Sequence, residues 1–164
     1  MSKKTKFDKN EADAFFLRYK KGQDLDPLNL LVEWLTPFEK QILKMIEIGC
    51  GNGESLSFLS KSLNSSAFGL EPSKKAVNHI KKKFSLINIK EGFSDNIQFK
   101  DNFFDYVHLG FFLYLVDRKQ YLKTISEADR ILKFGGYLSI IDFDSPFPYS
   151  NKYKHKEKKE WREQ

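Results

Sequence analysis

Residues 44–54 read Lys44-Met45-Ile46-Glu47-Ile48-Gly49-Cys50-Gly51-Asn52-Gly53-Glu54, and this stretch decides the fold. An apolar, β-branched run carries an acid and then breaks into three glycines at alternate positions. That pattern predicts a buried strand feeding a tight, side-chain-free turn that opens a helix. Such a turn lets a ligand lie almost against the backbone, with free N–H groups of the following helix pointing at it. Glu71 follows 18 residues after Gly53, closing the next apolar run, Ala67-Phe68-Gly69-Leu70. A glycine turn followed by an acid at the next strand end is how an α/β sheet holds a nucleoside, the acid taking the ribose hydroxyls.

The glycine spacing narrows the nucleoside. A dinucleotide fingerprint needs G-x-G-x-x-G, yet counting from Gly49 and Gly51 the third glycine falls on Glu54, and counting from Gly51 and Gly53 it falls on Leu56. No Gly-Lys-Ser/Thr follows, so the phosphate-cradling P-loop pattern fails as well.

Working outward, the apolar and helical periods place five strands at 44–48, 67–70, 86–90, 104–109 and 137–143. Helices are expected at about 54–63, 73–83 and 117–133, the second capped by Ser73 and the last closed by Gly135-Gly136. Strands alternating with helices imply right-handed crossovers and a parallel sheet, with the ligand at the switch point beside the first strand. Two helices precede that strand. One spans residues 11–21 and ends at Gly22. The other runs from Pro27 to about Phe38, with Asp26 as N-cap and Leu28, Leu31, Val32 and Leu35 on one face. They either cover the mouth of the nucleoside site or pack on the sheet.

The chain has 164 residues, suited to one domain with a sizeable core that its 16 phenylalanines help to fill. No apolar run is long enough to cross a membrane, and the lysine-bearing N-terminus lacks the apolar segment of a secretory signal. Cys50 is the only cysteine, which excludes an internal disulfide and a cysteine zinc cage; no metal site is expected, and the cytoplasm is the expected compartment. The net charge of +6 sits in the tails, with residues 1–9 and 151–164 each carrying a surplus of three, while the body between them is balanced. Lys81-Lys82-Lys83 fits the C-terminal end of a helix. Nucleic acid is therefore not the expected partner, since a binding domain for it would show a basic face on its body.

Further motifs in order extend the glycine turn into a family resemblance over about residues 40–145. Glu47-x-Gly49-x-Gly51-x-Gly53 resembles the first motif of class I S-adenosylmethionine-dependent methyltransferases. Residues 86–107 are similar to that family's third strand, adenine-side loop and Phe-Asp pair opening the fourth strand. Residues 126–138, from Ser126-Glu127-Ala128-Asp129-Arg130 through Gly135-Gly136-Tyr137-Leu138, resemble its last helix, double glycine and fifth strand. The resemblance implies a three-layer α/β sandwich on a Rossmann-like parallel sheet of order 3-2-1-4-5. It implies one domain over residues 1–145, with cover helices in 1–39, the cofactor core in 40–145 and a basic tail in 146–164.

The resemblance also implies S-adenosylmethionine as cofactor and S-adenosylhomocysteine as product. Gly49, Cys50 and Gly51 would lie against the methionine portion, with Glu47 near its ammonium group or organising the loop through backbone N–H groups, and Gly53 would allow close approach of the following helix. Glu71 would accept both ribose hydroxyls, and Pro72 would stiffen the loop beneath the adenine. Ser94 and Asp95 fall where the loop runs along the adenine edge. The family's acid beside them is replaced by Phe93, so that Asp95 compensates or Phe93 stacks on the base. Gly110 would turn a carbonyl to the ammonium, and Phe111, Phe112 and Tyr114 would shape an apolar pocket. Tyr114 is the one catalytic candidate, as an orienting group or weak base, and its other reading is core. His108 reads as a packed histidine. Asp142 and Asp144 read as substrate contacts or turn residues.

The implied activity is methyl transfer to a small molecule or a protein side chain. The alternative is a non-catalytic binding or scaffold subunit of the same fold that needs a partner chain. The family continues past strand five with a helix and a strand 6/7 hairpin, for which the 21 residues after Phe143 are too few. The expectation is thus a C-terminally shortened form whose fifth strand is an exposed edge, covered in a homodimer or by a partner.

Overall fold

The computed structural model describes residues 7–19 and 25–143. Among them, five parallel strands form one sheet: β1 (Lys44–Ile48), β2 (Ser66–Glu71), β3 (Asn88–Glu91), β4 (Phe104–Gly110) and β5 (Leu132–Ile141). Their order is β3-β2-β1-β4-β5, as the sequence implied. The connections α3 (Glu54–Ser62), α4 (Lys74–Lys83) and α5 (Tyr121–Ile131) are the crossover helices, and α1 (Lys9–Tyr19) and α2 (Asp26–Leu35) precede the sheet.

Alternation along β1 separates two cores. Met45 joins Leu28, Leu31 and Leu35 of α2 and Leu56 and Leu59 of α3 on one face. Ile46 and Ile48 join Ala128 and Ile131 of α5 on the other. A central strand buried on both faces must be apolar on both, which is why the polar side chain of Glu47 stands out within it.

Several expected boundaries move. Asp26 lies in the first turn of α2 rather than capping it; Leu25 holds the cap position, and Pro27 sets the first turn. A short 3₁₀ segment, Thr36–Gln41, follows α2. Ser73 does cap α4, its Oγ accepting from Ala76 N at 3.1 Å. The largest correction concerns Gly135-Gly136, which do not close α5. The helix stops at Ile131, and both glycines lie inside β5, which starts five residues earlier than expected. The β4–β5 register jumps from Phe104↔Leu132 to Tyr106↔Tyr137, so β5 bulges there. Gly135 has φ +75°, and a Cβ on Gly136 would sit 2.9 Å from the Asp105 carbonyl. The pair makes the bulge possible, a role that a glycine after a helical pattern does not distinguish from a helix stop. β5 borders the sheet among the described residues. Gly22, Asp144 and the tail lie outside them.

Candidate cofactor and acceptor site

The glycine turn folds as the sequence implied, at the carboxyl end of β1. Gly49 N donates to the Leu70 carbonyl at 2.8 Å and Gly53 N to the Cys50 carbonyl at 2.8 Å, closing a loop between β1 and α3. Gly49, Gly51 and Gly53 all have positive φ. A Cβ on Gly49 would strike the Phe112 ring at 2.9 Å and one on Gly53 would strike Ile80 of α4 at the same distance, whereas one on Gly51 would meet nothing within 4 Å. Gly49 and Gly53 are therefore glycine for packing, and Gly51 leaves space open to a ligand.

That space belongs to a cavity of about 700 Å³, within the range of small-molecule sites. Of the residues anticipated for the cofactor, Gly49, Gly51, Glu71, Pro72, Phe93, Ser94, Asp95 and Gly110 line it, as does Tyr114. Glu47, Cys50 and Gly53 do not; they lie behind its wall. Cys50 is buried, and burial pushes its thiol well up, with Glu71 and Glu47 adding to the effect, so it is a packed side chain and not a nucleophile.

Glu71 is the best-held acid of the site. Its Oε2 accepts from Gly51 N at 2.9 Å and its Oε1 from Ser73 N at 2.8 Å. Burial nevertheless pushes it up to about 7. Each oxygen retains a lone pair for a further donor. Glu47 accepts from Ser55 Oγ at 2.6 Å, and burial again pushes it up to about 7. Three buried side-chain atoms among the described residues lack a partner: Glu47 Oε2, Asn52 Nδ2 and His108 Nε2. Orphaned buried polar atoms are uncommon and call for an explanation. An ammonium suits the free Glu47 oxygen, a carboxylate the free Asn52 amide N–H, and ribose hydroxyls the remaining lone pairs of Glu71.

The loop after β3 is held from α5 and from Gln120 just before it. Ser94 Oγ and Thr124 Oγ1 are 2.9 Å apart, and Asp95 Oδ2 accepts from Gln120 Nε2 at 2.9 Å. Arg130 donates to the carbonyls of Phe99 at 2.9 Å and Ile97 at 2.8 Å, and Glu127 Oε2 accepts from Ile97 N at 2.8 Å. Asp95 is thus engaged through one oxygen, and Phe93 lines the cavity beside it.

The sequence left the two N-terminal helices between two roles; α1 takes the cavity wall, and α2 is mainly packing, reaching the cavity only through Pro27. α2 packs its apolar face into the core with α3. α1 lines the cavity through Ala12, Phe15, Phe16 and Tyr19. It is clamped to the start of α4 by Asp13, whose Oδ1 accepts from Ser73 Oγ at 2.6 Å and Lys75 N at 3.0 Å. Nothing local in the sequence marks Asp13, because its partners are about 60 residues away. Opposite α1, Phe111 and Tyr114 meet Phe143, with ring centroids 5.3 and 5.1 Å apart. Burial, then Asp142 and Tyr19, push the Tyr114 hydroxyl up to about 12.

A sequence model of a methyltransferase domain matches residues 46–140, more than half of the chain. The chain belongs to the methyltransferase domain family. Its sheet order, glycine turn and strand-end acid are those of the S-adenosylmethionine-dependent, Rossmann-like class, and S-adenosylmethionine is the cofactor of that class. An uncharacterized methyltransferase of Synechocystis is 28% identical over 103 residues, which are 63% of this chain and 48% of that protein. The demethylmenaquinone methyltransferase of Staphylococcus aureus is 33% identical over 109 residues, 63% of this chain and 44% of the enzyme. The methyltransferase domain here thus spans about half the length of the curated relatives it matches. Among solved structures, a candidate S-adenosyl-L-methionine-dependent methyltransferase of Methanococcus maripaludis superposes with a TM-score of 0.65 at 26% identity, covering 85% of this chain and 66% of that one. A sugar N-methyltransferase of Streptoalloteichus shares the fold, with a TM-score of 0.66 at 21% identity over 85% and 57% of the two chains.

Proposed function

We propose that this chain binds S-adenosylmethionine through the glycine turn, Glu71 and the Phe93 loop, and transfers its methyl group to an uncharged, largely apolar small molecule. The observation that carries the reading is the division of one cavity into two unlike halves. The half beside β1 and β2 offers backbone N–H groups and acids. The half between α1 and the Phe111–Tyr114 turn offers Phe15, Tyr19, Phe111, Tyr114, Val116 and Phe143. No lysine or arginine lines the cavity among the described residues, so an anionic acceptor has no counter-charge there. A covered, aromatic-walled space suits a planar small molecule better than a protein side chain on a backbone. The relative named for demethylmenaquinone supports the same choice.

Bound S-adenosylmethionine supplies a methyl group activated by its sulfonium. The chain's part is to position and to exclude water. Glu71, fixed by Gly51 and Ser73, accepts from the ribose hydroxyls and sets the nucleoside's orientation. Phe93 stacks on the base. Glu47, behind Gly110, is the counter-charge for the ammonium. α1 closes the acceptor half. Tyr114, with its hydroxyl held near 12, orients an acceptor as a hydrogen-bond donor and is a poor base at neutral pH.

Isothermal titration of the full chain with S-adenosylmethionine and S-adenosylhomocysteine, beside Glu71→Ala, tests the cofactor half. Micromolar binding that the substitution abolishes is expected; no binding by folded protein would overturn the reading. Transfer of a labelled methyl to a neutral aromatic panel, against its carboxylated counterparts, tests the acceptor half. Preference for the carboxylated compounds would overturn that part alone.

A further inference from the structure

His108 is fully buried, and the proposed mechanism does not use it. It sits in the middle of a polar row that crosses three strands. Its register partner on β1 is Glu47 and its register partner on β5 is Ser139. Ser139 Oγ lies 2.7 Å from His108 Nδ1 and 2.6 Å from the Tyr106 hydroxyl. The other ring nitrogen, Nε2, has no partner, and neither has Glu47 Oε2. Both side chains converge behind one residue: a Cβ on Gly110 would lie 2.6 Å from His108 Nε2 and 3.5 Å from Glu47 Oε1. Gly110 is itself a wall of the cavity.

We propose that His108 is a positioning residue for Glu47: its Nε2 and the Glu47 carboxyl group share one buried polar site behind Gly110, bridged by a water molecule, which holds the acid toward the ammonium end of the cofactor. The proposal rests on the cofactor reading above. The hydrogen-bond directions are consistent from end to end. In the proposed arrangement the Tyr106 hydroxyl donates to Ser139 Oγ at 2.6 Å, and the Ser139 hydroxyl donates to Nδ1 at 2.7 Å. That arrangement carries the proton on Nε2, which faces the acid through the water. A chain that ends on the Glu47 carboxylate, the form an arriving ammonium favours, has no unsatisfied donor, and each bond polarises the next. Burial keeps the ring neutral, with its value lowered to about 4, so it works as a dipole and not as a cation.

The charged and titratable groups facing this pocket are few. Glu47 comes from β1, Glu71 from β2, Cys50 from the turn and Tyr106 from β4. Burial raises all of them; none supplies a positive charge. An ammonium arriving at Gly110 would be the first cation there, and a carboxylate already aimed at it costs less to reorient.

The test compares two ligands on the full-length chain by calorimetry. S-adenosylhomocysteine carries the amino-acid end; 5′-methylthioadenosine is the same nucleoside without it. His108→Phe is expected to weaken the first by about tenfold, the scale of a charge-assisted hydrogen bond, and to leave the second unchanged. His108→Gln, which keeps an N–H donor, is expected to recover part of the loss. Equal weakening of both ligands, or of neither, would overturn the positioning role while leaving the cofactor reading intact. Failure of the wild-type chain to bind either ligand would overturn both. Should the variants not fold, ¹⁵N spectra of the wild type decide: a neutral His108 with its proton on Nε2 from pH 5 to 8 is expected, and the proton on Nδ1 would overturn the proposal.

Discussion

The Gly51 N–H donates to Glu71 Oε2 at 2.9 Å, so the glycine turn after β1 and the acid ending β2 form a single hydrogen-bonded unit. The two features that suggested a nucleoside site are therefore mechanically coupled: moving the acid moves the turn. Glu71→Gln should show this. The amide cannot accept equally at both oxygen positions, so one backbone N–H of Gly51 or Ser73 loses its partner. We expect cofactor affinity to fall by more than tenfold and stability by about 1–3 kcal/mol, the cost of leaving a buried donor unsatisfied. Titration calorimetry and thermal melts measure the two effects on one sample.

The three glycines of the turn should separate stability from binding. Gly51→Ala puts a methyl group into open cavity at φ +52°, costing about 1–2 kcal/mol of backbone strain and blocking the ligand. Gly53→Ala adds a 2.9 Å clash with Ile80 at φ +80°, so it should melt at a lower temperature than Gly51→Ala. Among folded molecules, however, it should bind better. Reversal of either order would contradict the roles assigned to the two positions.

Both buried acids should make the ligand-free protein less stable as pH rises. Burial pushes Glu47 and Glu71 to about 7 from an ordinary 4.5. The folded chain thus holds protons that the unfolded chain releases. The stability this provides is complete below about 4.5 and is lost as pH climbs through about 7. Melting scans from pH 5 to 8 on wild type and Glu47→Gln should show a shallower decline in the variant. An ammonium beside Glu47 favours its anion, so S-adenosylhomocysteine binding near pH 6 should release protons, visible as a dependence of the calorimetric heat on buffer ionisation enthalpy.

Asp13→Ala should act on the acceptor half alone. It removes the bonds that clamp α1 to Ser73 and Lys75 while leaving the Ser73–Glu71 bond in place. The expected result is a several-fold rise in acceptor KM with cofactor affinity changed by less than twofold. A matching loss of cofactor affinity would mean that α1 supports both halves of the cavity.

The β1 turn and the acid of β2 were legible because each is written locally, and the strand order followed from the family resemblance. An apolar run, a glycine triplet and a strand-end acid keep their meaning whatever surrounds them, and β1 falls at the expected Lys44–Ile48. Gly135-Gly136 shows the limit of this. The same two residues can stop a helix or bulge a strand, and only the approach of the Asp105 carbonyl from β4 selects the bulge. Glu47 and Cys50 show another. Their place in the motif was plain, but only packing puts both behind the cavity wall.

The sequence by itself determined the family, the strands and the glycine turn with its strand-end acid, because backbone conformation and burial pattern are set by neighbours along the chain. Tertiary structure alone decided the rest. It brought Asp13 to Ser73, faced Phe15 and Tyr19 across the cavity from Tyr114 and Phe143, and set His108 beside Glu47 with Ser139 behind it. These partners lie on strands and helices far apart in sequence. Their meeting depends on which elements pack side by side, and no local pattern records that.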